Sequence, residues 1–430
     1  MRTTQHHQRG IGTLAVSMLL LFATSIVIFY LNRGLIFEQK TSANQYRSTL
    51  AFEAAEAGLE WATGMLNQPY DIQANCAFDT TTNISFRRKY VQTTYATSPN
   101  VVPATNVLPG CYIDTANNGA LTCSCPNVPV SGTATASLTP STALPGFTVS
   151  FAAVAGDAES VQVTSVGCNA ATGACTAATS GASDATATVT AILKMRRILR
   201  AAPAAALTCG NTCNPGATGN FNVVNFDASV NGITVNSGAG TTADLSGPGA
   251  IGTVPGMPLE NSIVANDSSL STIRNSDPTC TNDAMFRAYF GSTISEYAAS
   301  TSTTTVTNKT EFLARYADGW RSFYFPSGAP LQGGWSIPSV GTQADPVTIV
   351  VNGGDFTINS TIDVYGLVFS DNASAGSIGT GSAVIHGAMV ACNDFNANGN
   401  GAVVYDGQAL SNAQLNTATL VRVPGSWRDF

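Results

Sequence analysis

Residues 11–31 read IGTLAVSMLLLFATSIVIFYL, and residues 32–66 continue NRGLIFEQKTSANQYRSTLAFEAAEAGLEWATGML. The first segment carries no charge from Ile11 to Leu31 and follows Arg2, His6, His7 and Arg9. At about 1.5 Å per residue it spans roughly 31 Å as a helix, enough to cross a hydrocarbon core of about 30 Å. The first proline is Pro69, so the helix is predicted to run on through residues 32–66, where a removable signal peptide would break. Asn32-Arg33-Gly34 is its weakest point, since glycine costs about 1 kcal/mol in a helix interior. In the second segment Ala43, Tyr46, Leu50, Ala54, Ala57, Trp61 and Met65 recur at helical spacing and form one apolar stripe, the expected packing face. Glu53, Glu56 and Glu60 mark a solvated face. A half that is apolar all round, then a half with one stripe, predicts two surroundings: a membrane (11–31) and a globular domain (32–66). Basic residues before the span place the N-terminus in the cytoplasm and the rest of the chain across the membrane.

Gln8-Arg9-Gly10 ahead of the span, and Ala51-Phe52-Glu53-Ala54-Ala55-Glu56-Ala57-Gly58-Leu59 within the second segment, resemble the N-terminal region of PilX-type minor pilins of type IV pili. The resemblance covers residues 8–66 and is most specific in the second phrase; the tail Pro424-Gly-Ser-Trp-Arg-Asp-Phe430 resembles PilX-type tails less closely. It implies a leader of residues 1–10 cut between Gly10 and Ile11, and an α+β, pilin-like fold with the helix packed on an antiparallel sheet. It also implies a single-pass protein of the bacterial inner membrane, with periplasmic domains that reach the extracellular pilus if assembled. Its implied partners are other pilins and minor pilins, the inner-membrane assembly machinery and a large tip adhesin. The pattern departs at Ala15, where major pilins carry glutamate, and at Ile11, where they carry Phe. Two roles fit: a structural component at or near the pilus tip, or a tethered extracytoplasmic binding or adhesion protein that stays out of the filament.

Charged residues make up only 10% of the 430, and the net charge is −7. Such a chain leaves no electrostatic footprint for nucleic acid. Its one basic cluster, Lys194, Arg196, Arg197 and Arg200, reads as a strand end. All ten cysteines lie beyond the span, which points to disulfides in an oxidising compartment. Cys168, Cys175, Cys209, Cys213, Cys280 and Cys392 are expected in disulfides. The pairing of Cys76, Cys111, Cys123 and Cys125 stays open, except that Cys123 and Cys125 stand too close together to bridge each other.

Residues 67–200 are expected to complete the first domain. Phe147, Val149 and Phe151, then Val161 and Val163, then Ala187 to Met195, alternate with polar residues, the period of half-buried strands. The helical stripe is the available cover for their apolar face. A linker is predicted over 201–219, then a distal β-rich domain over 220–430 with a helical insertion near 278–325. In the distal part Ile362-Asp-Val-Tyr-Gly366-Leu-Val-Phe matches Ala383-Val-Ile-His-Gly387-Ala-Met-Val place for place, Gly366 on Gly387. A repeat of roughly 20 residues predicts β-solenoid rungs, with a sandwich as the alternative.

Catalytic readings find little to stand on. His386 is the only histidine beyond the span, and Ser-His-Asp chemistry needs such a base where a nucleophile can reach it. It lies inside an apolar strand repeat, at the place matched by Tyr365. Asp355, Asp363 and Asp371 recur at a shorter interval, out of step with that repeat, so no carboxylate pair stacks. No phosphate-binding glycine loop or cofactor motif is present, and the cysteine spacings fit no zinc site. One weak calcium pattern remains: Asp394, Asn396, Asn398 and Asn400 supply alternating oxygens around Gly399, without the closing bidentate glutamate.

Overall fold

The computed structural model of the chain describes residues 10–79, 85–94, 100–104, 106–114, 118–127, 144–171, 175, 185–218, 220–240, 251–300, 302–326, 338–353, 361–371, 382–398 and 400–429. Residues 1–9 of the expected leader lie outside these. Helix α1, Gly10–Asn67, runs 58 residues without interruption, straight through Asn32-Arg33-Gly34. Side chains from Gly12 to Tyr46 are exposed. An 18-residue window in this helix has mean hydropathy 2.4, with none of it buried. That is a helix long and apolar enough to cross a bilayer.

Past Tyr46 the helix meets a sheet. Strands β1 (Gly110–Asp114), β2 (Ala120–Ser124), β3 (Leu144–Val154), β4 (Asp157–Ala171) and β5 (Thr186–Arg196) are joined by a late strand, Thr419–Arg422, labelled β10 below. Their order is β10-β5-β4-β3-β1-β2, antiparallel throughout. The inward residues of β3, β4 and β5 are Phe147, Val149, Phe151, Val161, Val163, Val189, Ala191 and Leu193, all buried against α1 and the short helix α2 (Phe86–Tyr90). This is a helix packed on one face of an antiparallel sheet. Its alternating strands arise because only one face of each is covered.

Two expected boundaries need correction. Residues 201–219 are no linker: Leu207–Cys209 and Cys213–Thr218 are strands, hydrogen-bonded into the distal sheets. Nor does the distal part run to the C-terminus. β10 returns to the first sheet, with Leu420 opposite Met195, and Thr190 exchanges backbone hydrogen bonds with Arg428. The distal part is therefore inserted between two neighbouring strands of the first sheet. Strand pairing joins residues far apart in sequence, so composition along the chain could not reveal it.

The distal sheet is parallel. Its central strands are β6 (Val347–Asn352), β7 (Asp363–Asp371), β8 (Val384–Ala391) and β9 (Ala402–Tyr405), flanked on one side by Ser322–Phe325 and Thr304–Thr305. Val347, Gly366, Gly387 and Tyr405 stand in line across it, so successive strands are offset by similar lengths of chain. Around them lie α3 (Ser268–Ser276), α4 (Ala284–Phe290), α5 (Ile294–Ala298), α6 (Lys309–Ala317) and α7 (Gly407–Asn416). The predicted helical insertion thus holds α4, α5 and α6, together with two strands of the sheet. Phe286 and Phe290 stack at 4.1 Å and meet Phe369 edge-on at 5.0 and 5.8 Å, which fastens α4 to β7. Asn308 caps α6 by accepting the Glu311 N–H at 2.9 Å, while the Glu311 carboxylate reaches back to Thr307.

Candidate functional site

The candidate site is the place where a membrane-length helix is seated on its domain. The residues buried on α1 are Ala51, Ala55, Gly58, Leu59, Ala62 and Leu66, with Met65 beside them. The expected stripe lies one residue away, a turn of about 100°. Of it, Ala43, Tyr46 and Ala57 are exposed, Leu50, Ala54 and Trp61 are half-buried, and Met65 is buried. The reason is distance. A Cβ on Gly58 would stand 2.3 Å from Ser165 Oγ and 2.7 Å from the Phe147 ring. A Cβ on Gly167 of β4 would stand 2.2 Å from Ala51 O and 2.3 Å from Ala55 N. At that range the helix backbone lies on the sheet, and alanine and glycine are what fit. A reading by hydropathy favours large side chains and so picks the neighbouring face.

Large groups flank this seat. Trp61 lies edge-on to Phe86 at 5.3 Å and tilted on Phe147 at 5.5 Å. Trp427 of the tail meets Phe52 edge-on at 6.5 Å. Asn67, the last residue of α1, donates to Leu420 O at 2.9 Å and accepts its N–H at 2.7 Å. Glu60 pairs with Arg422. Helix and C-terminal strand are thus held to each other as well as to the sheet.

A second set of polar contacts fixes the distal part to α2. Asp345 accepts from Arg88 Nη1 and Arg321 Nε, each at 2.9 Å, and from Asn416 Nδ2 at 3.1 Å. Arg87 donates to Asn416 O at 2.8 Å and also reaches Ala418 O. Sequence reading missed these residues, because Arg88 and Asp345 are 257 positions apart and nothing local marks either one. Gly58 was visible inside the quoted phrase, but its meaning depends on Gly167.

Five disulfides join the cysteines: Cys76–Cys125, Cys111–Cys123, Cys168–Cys175, Cys209–Cys213 and Cys280–Cys392. Cys111 and Cys123 face each other across β1 and β2, and Cys280–Cys392 ties the segment before α4 to the residue after β8. Next to that bridge Asp371 is 4% exposed, with Oδ1 unpartnered. Burial, with Asp283 and Asp277 adding repulsion, pushes its carboxyl up to about 7.

His386 hydrogen-bonds Asp363 at 2.9 Å and stacks on Tyr365 with ring centroids 4.4 Å apart. Tyr365 and His386 are directly paired positions. The ring continues a side-chain ladder with Tyr365 and Asp363. Two members of the calcium pattern, Asp394 and Asn396, accept hydrogen bonds from protein donors. Asp394 Oδ1 accepts from Asn211 Nδ2 at 2.7 Å and Thr212 N–H at 2.9 Å, and Asn396 Oδ1 accepts from Asn214 at 2.8 Å. These side chains bind Cys213–Thr218 to its parallel neighbour Phe395–Asn398. Asn400 is exposed, and Gly399 lies outside the described residues.

Residues 9–60 match the family described as PilX N-terminal, the stretch that supplies the apolar half of α1 and most of its seat. No curated protein matches the chain. Among solved structures it is similar to the competence-associated pilin ComZ from Thermus thermophilus, at 13% identity and a TM-score of 0.23, over 89% of this chain and 98% of that one.

Proposed function

We propose that the protein is a minor pilin-like component of type IV pilus assembly, held in the inner membrane by the first half of α1 and incorporated at or near the pilus tip. One observation carries this reading. The PilX-like stretch, residues 9–60, coincides with a helix whose first half is left uncovered by the described residues and whose second half is clamped to a sheet. A helix free along that much apolar surface needs lipid or other helices around it. In this reading other pilins and the inner-membrane assembly machinery are the partners, a tip adhesin is a further one, and the role is structural rather than enzymatic. A leader peptidase cuts between Gly10 and Ile11, and the body of the protein lies in the periplasm before export.

The distal part is, in this reading, a short β-solenoid set into the pilin domain. Support comes from the parallel pairing of Tyr365 with His386 and Gly366 with Gly387, and from the near-equal offsets between successive strands. Its place between β5 and β10 would carry it outward on the filament. A tethered binding protein that never enters a filament is the second reading, favoured by Ala15 in place of the pilin glutamate.

Two measurements separate them. Shearing pili from cells and probing for this chain in the filament and membrane fractions tests incorporation; recovery with the inner membrane alone overturns the tip assignment. N-terminal sequencing, with Gly10→Arg as the uncut control, tests processing. Identical mobility of the two forms overturns cleavage.

A further inference from the structure

Where β5 ends and the chain turns toward α4, the two parts of the molecule leave an open cleft of about 780 Å³. Arg196, Arg197 and Arg200 line one wall, and the segment from Phe290 to Ser300 lines the other. The chain is acidic, with 19 Lys and Arg against 26 Asp and Glu, while this cleft sets three arginines against two acids, Glu159 and Glu296. The cleft's two acids each have a partner, and Arg196 also lies near enough to Glu296 to favour its charged form. Glu159 pairs with Arg197, and Glu296 accepts the Thr293 N–H at 2.8 Å in the capping box of α5. Among the described residues Arg196 and Arg200 form no ion pair. Arg200 is held in place: its N–H donates to Tyr289 O at 2.7 Å, and its stem lies so close over Gly291 that a Cβ there would be 3.2 Å from its Cδ.

Two buried groups in the same walls have no hydrogen-bond partner among the described residues, Arg197 Nε and Ser292 Oγ. A buried donor without an acceptor is unfavourable, and an acceptor brought in by a ligand removes the penalty. Guanidinium forks match the paired oxygens of carboxylate and phosphate groups, and the cleft has the volume of a small-molecule site. We propose that this cleft binds a small ligand carrying two or more oxyanion charges, held by Arg196 and Arg200, with Arg197 Nε and the Ser292 hydroxyl as further donors; the two terminal nitrogens of Arg197 are already given to Glu159 and Gln414. Because its walls come from both parts of the chain, the ligand bridges them. The proposal stands apart from the pilin reading.

The test is equilibrium dialysis of the full-length protein in neutral detergent against labelled citrate and, separately, labelled inorganic phosphate. Saturable binding of one equivalent of at least one probe is expected below about 1 mM, weakened about tenfold or more by Arg196→Gln with Arg200→Gln. Ser292→Ala should weaken it by roughly threefold, and Arg33→Gln, on the exposed part of α1, should leave it unchanged. Binding of citrate alone assigns carboxylates, and of phosphate alone, phosphates. Circular dichroism checks that the double variant is folded; if it is not, Ser292→Ala decides. No saturable binding of either probe up to about 10 mM, or equal affinity in wild type and the deciding variant, overturns the proposal.

Discussion

The side chain of Asn67 completes both backbone hydrogen bonds of Leu420, accepting the N–H at 2.7 Å and donating to the carbonyl at 2.9 Å. The last residue of the N-terminal helix thereby occupies the place of a neighbouring strand for the final one. Its Nδ2 also donates to Thr63 O at 3.0 Å, so the amide cannot swing away without losing a contact inside α1. The helix and the C-terminal strand, the two ends of the sequence, close on each other.

Asn67→Ala should remove that closure without creating a large cavity. The expected cost is about 1–2 kcal/mol, the worth of two net hydrogen bonds with partly buried partners left behind. Hydrogen exchange at the Leu420 amide should quicken by roughly tenfold or more, with the amides of β4 unaffected. Unchanged exchange at Leu420 would mean that the strand is held by β5 alone.

The seat of α1 should tolerate no added bulk. Gly167→Val places side-chain atoms where the helix backbone of Ala51 and Ala55 lies, and overpacking of this kind costs about 1–3 kcal/mol or more. Ala57→Leu adds the same number of carbons on the exposed side of the same helix and should change stability by less than about 0.5 kcal/mol. Limited proteolysis of the two variants distinguishes this seat from the stripe through Ala57 and Trp61; equal resistance would contradict the close approach.

In the parallel sheet Gly366 and Gly387 have φ of 133° and 146°, and a Cβ on Gly387 would stand 1.9 Å from Gly366 O. Gly387→Ala therefore meets both backbone strain and a backbone clash, which add to about 2–4 kcal/mol. Val384→Ala, half-buried on the same strand, should cost about 1 kcal/mol. Denaturant melts of the two variants are the measurement, and a smaller loss for Gly387→Ala would refute the in-line arrangement.

Asp371 gives the distal part a pH dependence. Its pKa rises from the ordinary 3.8 to about 7 on folding, chiefly through burial. Below pH 4 the group is neutral in both states. Between pH 4 and 7 the folded state keeps a proton that the unfolded state has lost, so this contribution to stability falls as pH rises through that window. At about 1.36 kcal/mol per pH unit, the window sets an upper bound of roughly 4 kcal/mol. Asp371→Asn should match wild type near pH 4 and exceed it near pH 8 in thermal melts. A stability gap independent of pH would sink this account.

The repeat around Tyr365 and His386 was legible because identical spacing in the chain becomes neighbouring strands in space, and the interval from Gly366 to Gly387 names the register directly. The alternation in β3, β4 and β5 was legible for a similar reason: burial of one face forces period two. The Asn and Asp alternation at 394–396 also serves a ladder of side-chain amides, a use that depends on the remote positions of Asn211 and Asn214.

What the sequence determined by itself is what depends on near neighbours along the chain. An uncharged run from Ile11 to Leu31, with no proline until Pro69, must be helix, and its hydropathy sets where it can reside. What tertiary structure decided is what depends on two remote segments at once. Gly58 matters because Gly167 lies beneath it, and Arg88 because Asp345 faces it. Residues 419–422 belong to the first sheet because β5 has an open edge. Pairings of this kind carry no local signature, since their energy arises only when long loops of chain have closed.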